Sequence, residues 1–247
     1  MHRKQFAFAL STLEKNHLMN DHNERSLQVL DKARQTHAAK EYETSLVSYE
    51  WFFDHALDED KGSLYGVRLS YCLFGWVELG QEYEPARIRL EQKLEHSLLA
   101  LEQSRNPEYF HDYASIGACL DQHEAVLDKF IAYHHADPRL AREIVHFIWD
   151  ELLASPHMLV CATYIDNASA LYEDKLEKHD ETMKVFASRP ELATDDFMQG
   201  MRDRFIQEAT NIVKVLQAAG RNDEAGSVSA KAKADMEKRN YIHSLPG

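Results

Sequence analysis

Chemistry that side chains of this chain could perform would rest first on its histidines, of which there are 14 among 247 residues. Glu-x-x-His places a carboxylate and an imidazole on one face of a helix, as in the carboxylate-bridged metal sites of helical bundles. Three such pairs occur: Glu14/His17, Glu108/His111 and Glu143/His146. Chance alone would supply about 1.3 from this composition, so three is a mild excess. His-Asp dipeptides, which ligate metal in some all-helical phosphohydrolases, occur as His111-Asp112 and His179-Asp180. The first opens a helix after Pro107, where an acid suits the helix dipole without any metal. The second lies in a run of Glu and Lys that reads as a solvated face. A metal centre drawn from His111, Asp112, Glu143 and His146, serving a hydrolase or an oxidase, is the enzymatic reading. No phosphate-binding glycine loop, EF-hand spacing or nucleophile with an orienting acid is present; Cys119 near His111 and His123 reads as core. No cofactor is therefore expected.

Arg68 stands out for a different reason. It is the single charged residue between Ser63 and Val77, in a stretch of Leu, Val, Tyr, Cys, Phe and Trp. A guanidinium there needs an acid or an anionic ligand, because a buried unpaired charge is costly. The acid could come from a neighbouring helix, with Glu50 and Asp54 as candidates. Alternatively Arg68 anchors the carboxylate of a partner, flanked by Tyr65 and Cys72 at i−3 and i+4. Trp76, Arg142 and His146 complete the candidate partner-binding set.

The elements that must position these residues are helical. Nine Gly and six Pro leave little turn chemistry for a many-stranded sheet. Apolar residues recur at helical spacing and predict about ten to eleven helices, near 3–18, 24–36, 39–57, 63–79, 84–103, 108–119, 123–135, 139–153, 157–187, 195–219 and 222–239. Pro85, Pro107, Pro138 and Pro156 fall at first-turn positions. The aromatic run Trp51-Phe52-Phe53 points three ways around a helix, so at least two neighbours must cover it, or a larger assembly must.

Four stretches share a turn signal: Ala39-Lys40-Glu41-Tyr42-Glu43-Thr44-Ser45, Leu79-Gly80-Gln81-Glu82-Tyr83-Glu84-Pro85-Ala86, Asp121-Gln122-His123-Glu124-Ala125-Val126 and Ala219-Gly220-Arg221-Asn222-Asp223-Glu224-Ala225. The first three lie about 40 residues apart, and together they resemble the turns of the tetratricopeptide repeat. The segment 64–80 is also similar to uncharacterised bacterial tetratricopeptide-like proteins. The resemblance implies an all-α superhelix of antiparallel helix pairs over a single domain of 1–247. Within it, 1–22 forms an N-terminal helix, 23–138 the repeat-like pairs, and 139–240 further helices with a last such turn at 219–225. It also implies a protein- or peptide-binding role on a concave helical face rather than catalysis.

Charge narrows the partner. The formal net charge is −13; by segment it is +3 over 1–40, −18 over 41–196 and +2 over 197–247. Nucleic acid is thereby disfavoured, and a basic or neutral protein or peptide fits the acidic middle. Cys72, Cys119 and Cys161 are odd in number, far apart and embedded in apolar helix, which predicts buried thiols and a reducing, cytoplasmic setting. The N-terminal apolar run is too short for a signal peptide, and no stretch approaches the roughly 20 residues that span a bilayer, so no membrane association is expected. A structural subunit of a larger assembly, docked through aromatics 49–53, is the third reading.

Overall fold

The structure is a computed structural model, which describes residues 24–58, 62, 64–188 and 194–241. The expected helix at 3–18 with its Glu14/His17 pair lies outside them, as does most of the acidic turn 58–62. Among the described residues the chain is helical without a strand. Its segments are α1 (24–38), α2 (Tyr42–His55), α3 (Tyr65–Val67), a π turn (Arg68–Cys72), α4 (Leu73–Glu82), α5 (Glu84–Ser104), α6 (Pro107–Cys119), α7 (His123–Ala136) and α8 (Pro138–Ile144). A 3-10 turn (Val145–Phe147) follows, then α9 (Trp149–Ala154), α10 (Met158–Ala162), α11 (Ala168–Ala187), α12 (Asp195–Ala218) and α13 (Asn222–Lys238). Since α3, the π turn and α4 run on continuously, these make twelve helices, slightly more than the periodicity predicts. They divide into two compact units, one ending at Phe147 and one beginning at Ile148.

Three of the four turn signals produce one geometry. Lys40, Asp121 and Gly220 each adopt a left-handed backbone, with φ of 63°, 56° and 73°. In each case the next N–H reaches back across six residues: Glu41 to the Thr36 carbonyl, Gln122 to Gly117 and Arg221 to Leu216, all at 2.8 Å. This is the Schellman closure, and a new helix starts one residue later. Asn240 ends α13 the same way without an evident signal. The signal at 79–86 behaves differently: Gly80 stays inside α4, and the break is the single extended residue Tyr83. Gly80 serves close packing instead, since a Cβ there would stand 3.2 Å from the Arg87 backbone.

Pro85, Pro107 and Pro138 do open helices. Pro156 instead sits in the turn ahead of α10. Where periodicity predicts one helix over 139–153, the helix is interrupted by the 3-10 turn and resumes at Trp149 as α9. Where it predicts one helix over 157–187, the side chain of Asn167 accepts from the Ala170 N–H and starts α11 afresh.

Cross-helix pairs set the registers in the first unit. Glu50 and Asp54 of α2 meet Arg89 and Lys93 of α5, each at 2.7 Å and each 39 residues on. Both members advance together, so α2 and α5 run parallel, with α4 packed against both. Tyr42 and Tyr83 stack at 5.7 Å and exchange bonds with each other's neighbour, Tyr42 donating to Glu82 at 2.8 Å and Tyr83 to Glu43 at 2.7 Å. In the second unit α11 and α13 are likewise parallel, through Tyr172 to Asp235 and Arg239 to Asp180.

The core of the first unit includes Tyr49, Phe52, Phe53, Trp76 and Phe110. The aromatics at 49–53 are thus covered within the chain, with only Trp51 half-exposed. Close packing here depends on Gly75, where a Cβ would lie 2.7 Å from Cζ of Tyr49. Gly75→Ala is expected to destabilise by about 1–3 kcal/mol, overpacking outweighing its gain in helix propensity. Gly226→Ala in α13, with nothing within 4 Å of the new Cβ, should stabilise by about 1 kcal/mol. Urea titrations of the two variants should move in opposite directions.

Candidate functional site

Of the sequence candidates, Tyr65, Arg68, His111, Asp112 and His146 are brought together in the first unit, whereas Cys72 and Trp76 are not. Arg68 is buried and fully engaged. Its Nη1 and Nη2 donate to Oδ1 and Oδ2 of Asp112 at 2.5 and 2.7 Å, and its Nε donates to the Phe53 carbonyl at 2.6 Å. The guanidinium lies 3.8 Å over the Phe53 ring. The acid that satisfies it therefore comes from α6, while Glu50 and Asp54 are held by Arg89 and Lys93. The π turn begins at Arg68; such widened turns concentrate at functional sites.

Cys72 and Trp76 are core residues with no exposed surface. Cys72 Sγ points to the Tyr49 carbonyl, and burial pushes its thiol up to about 12. Cys161 is buried as well and Cys119 half-buried. Trp76 donates its indole N–H to the Ala86 carbonyl at 2.9 Å and meets Phe53 edge-on.

Above the Arg68–Asp112 pair stands a ladder of four rings from three segments. Tyr65 of α3, His111 of α6, and Phe147 and His146 of the 3-10 turn follow one another with centroid separations of 5.3, 4.2 and 3.8 Å. The Tyr65 hydroxyl donates to the Glu108 carboxylate and meets His111 Nδ1 at 2.6 Å. With the phenol hydrogen directed to Glu108, Nδ1 carries the imidazole hydrogen and Nε2 is the acceptor. Asn106 caps α6 by accepting from the Glu108 N–H at 3.1 Å, which places Glu108 and His111 one turn apart on the face towards Tyr65. Glu108, Arg142 and His146 are exposed, and Tyr65, His111 and Phe147 are half-buried.

Burial is the leading influence on the titrating groups here. It raises the Tyr65 phenol, reinforced by the hydrogen bond to Glu108. It lowers His111, against the opposing pull of Asp112 and Glu108 and with the help of His146 and Arg68, and it lowers His146 too. Both imidazoles are consequently neutral at pH 7. A His whose folded pKa lies below its unfolded value favours unfolding as pH falls, because the unfolded chain binds the proton first. Stability should therefore decline as pH drops below about 6.5, the free imidazole value. Urea unfolding at pH 7.5 and 5.5 should show a smaller difference in His111→Gln than in the wild type.

The metal reading draws on the same residues. Asp112 holds Arg68 through both oxygens, and Glu143 pairs with Arg139 at 3.6 Å. Among the described residues no group of three or more His, Cys, Asp or Glu side chains is placed to hold a metal ion. His179 and Asp180 belong to the second unit, where His179 meets the Tyr241 hydroxyl and Asp180 pairs with Arg239.

Two members of the site escape sequence reasoning in the roles they take. Glu108 reads from sequence as half of a metal pair, and Phe147 carries no functional signal; neither shows that it faces Tyr65 across 43 residues or stacks on His111. Two exposed aromatics were also without a signal: Tyr71 and Phe74, at 61% and 59% exposure on one helix face, with Arg34 5.6 Å from the Tyr71 ring. No helix among the described residues is long and apolar enough to cross a membrane. No family model, curated protein or solved structure matches the chain.

Proposed function

We propose that the first unit is a tetratricopeptide-like stack of helix pairs and that the chain is a non-catalytic interaction module binding a basic segment of a protein or peptide. The parallel registers of α2 with α5 and of α3–α4 with α6, 39 to 46 residues apart, support the first part. The observation that carries the second is the ring ladder beside the Glu108 carboxylate. A Lys or Arg side chain of the partner finds π faces and an anion together there, in a segment of net charge −18 over 41–196. Because His111 and His146 are neutral at pH 7, the ladder does not repel such a cation. Their protonation in acid would, so binding should weaken as pH falls.

A pull-down from lysate of the source organism tests this, comparing wild type with Tyr65→Ala and Glu108→Gln at matched thermal stability. The expected result is a partner whose contact segment, mapped by cross-linking, is rich in Lys or Arg, with recovery lost in both variants. Equal recovery by wild type and variants removes the ladder as the site. Stoichiometric iron, manganese or zinc in untagged protein would instead favour the enzymatic reading.

A further inference from the structure

In the second unit α11 and α12 enclose a cleft of about 260 Å3. Each helix lines it with positions spaced i, i+3, i+4 and i+7, that is 175, 178, 179 and 182 facing 201, 204, 205 and 208, so each offers one continuous face. The floor is the His179–Phe205 pair, nearly buried at 6% and 2% exposure, with the half-buried Met201 beside it. The His179 ring stacks on Phe205 at 4.7 Å and 20°, its Nε2 meets the Tyr241 hydroxyl at 2.7 Å, and Met201 lies alongside.

The rim has the opposite character. Lys175, Lys178 and Arg204 border the cleft against a single acid, Glu208. That carboxylate stands 3.7 Å from Lys175 and 3.4 Å from Arg204, longer than a charge-assisted hydrogen bond, so one anion is shared loosely between two cations. Lys178 reaches Asp174 at 2.7 Å, outside the lining, and like Arg204 is mostly exposed at the mouth. A cationic excess over an apolar floor, in a chain of net charge −13, is an arrangement for drawing in an anion.

We propose that this cleft binds a small organic anion, with its phosphate or carboxylate between Lys178 and Arg204 and its apolar part against Met201, over the Phe205–His179 pair that closes the floor. Head group and floor act together, the cations supplying attraction and Met201 supplying apolar contact.

Methyl NMR of the full chain labelled at methionine tests this, with the Met201 signal assigned through Met201→Leu. Phenyl phosphate and benzoate are the probes, inorganic phosphate and acetate the head-group controls, all at equal ionic strength. A saturable shift of the Met201 methyl with one or both aromatic anions is expected, the stronger binder identifying the head group. Binding should weaken about tenfold or more in Lys178→Gln/Arg204→Gln, whose helix content and Tm should match the wild type. The proposal is overturned if neither aromatic anion shifts Met201 at millimolar concentration, if the double variant binds undiminished, or if inorganic phosphate binds as tightly as phenyl phosphate, which would remove the floor. Should the double variant fail to fold, Met201→Glu provides the second check: it places a like charge on the floor and must abolish the shifts seen at a Thr182 methyl label.

Discussion

Asp112→Ala should lower the stability of the first unit by about 3–5 kcal/mol, because it leaves the Arg68 guanidinium buried without its anion. The magnitude follows from asymmetry. The intact pair offsets its own desolvation through two parallel hydrogen bonds, a third to the Phe53 carbonyl and the ring beneath it. A lone guanidinium keeps the desolvation cost and loses most of the return. Replacing both partners together, as Arg68→Met with Asp112→Leu, should therefore recover most of the loss, since well-packed apolar residues of similar volume commonly equal or exceed a buried ion pair. Urea unfolding of Arg68→Met, Asp112→Leu and the double variant closes the cycle. A loss below about 1 kcal/mol for Asp112→Ala, typical of exposed pairs, would show that water reaches the site. The result also governs any functional use of Arg68 variants: lost partner recovery by Arg68→Ala would report a damaged core before it reported a damaged interface.

Trp76→Ala is expected to cost about 3–5 kcal/mol as well, by a different route. The indole is fully buried against Phe53 and donates to the Ala86 carbonyl, so truncation opens a cavity between α4 and its neighbours and removes the second donor to that helical carbonyl. Trp76→Phe separates the two contributions: it restores much of the volume without the N–H and should lose about 1–3 kcal/mol. Thermal unfolding followed by circular dichroism decides between core and contact. An unchanged Tm with lost partner recovery would return Trp76 to an exposed role.

These two residues show what the sequence could and could not carry. That Arg68 needs an acid follows from the apolar run around it. Which acid depends on the register between helices 44 residues apart, and nothing local encodes that. The choice of Glu50 and Asp54 failed because those acids face the parallel helix α5, with Arg89 and Lys93 opposite. Trp76 and Cys72 lie on the same apolar stretch, and a helix apolar on most of its circumference does not announce which stripe stays wet. The turns were more legible. Lys40, Asp121 and Gly220 close helices in one way, and their signal is local backbone chemistry. Gly80 carries a similar signal with another cause, a close approach of α5. The ring ladder was half visible: Tyr65 and His146 were candidate contacts, and His111 a candidate ligand. Their meeting point is tertiary.

The Arg68–Asp112 pair has a further consequence, for the order in which the chain is made. Synthesis delivers Arg68 well before residue 112, together with the apolar residues of α2, α4 and α5 that are to bury it. Until α6 emerges, a chain ending near Asn106 holds a cation that its own core cannot neutralise. Collapse of that intermediate is opposed by the same charge that later stabilises the finished unit. The counter-ion should thus set a length threshold: a chain truncated after Asn106 is expected to stay open to water, and one that includes α6 to close.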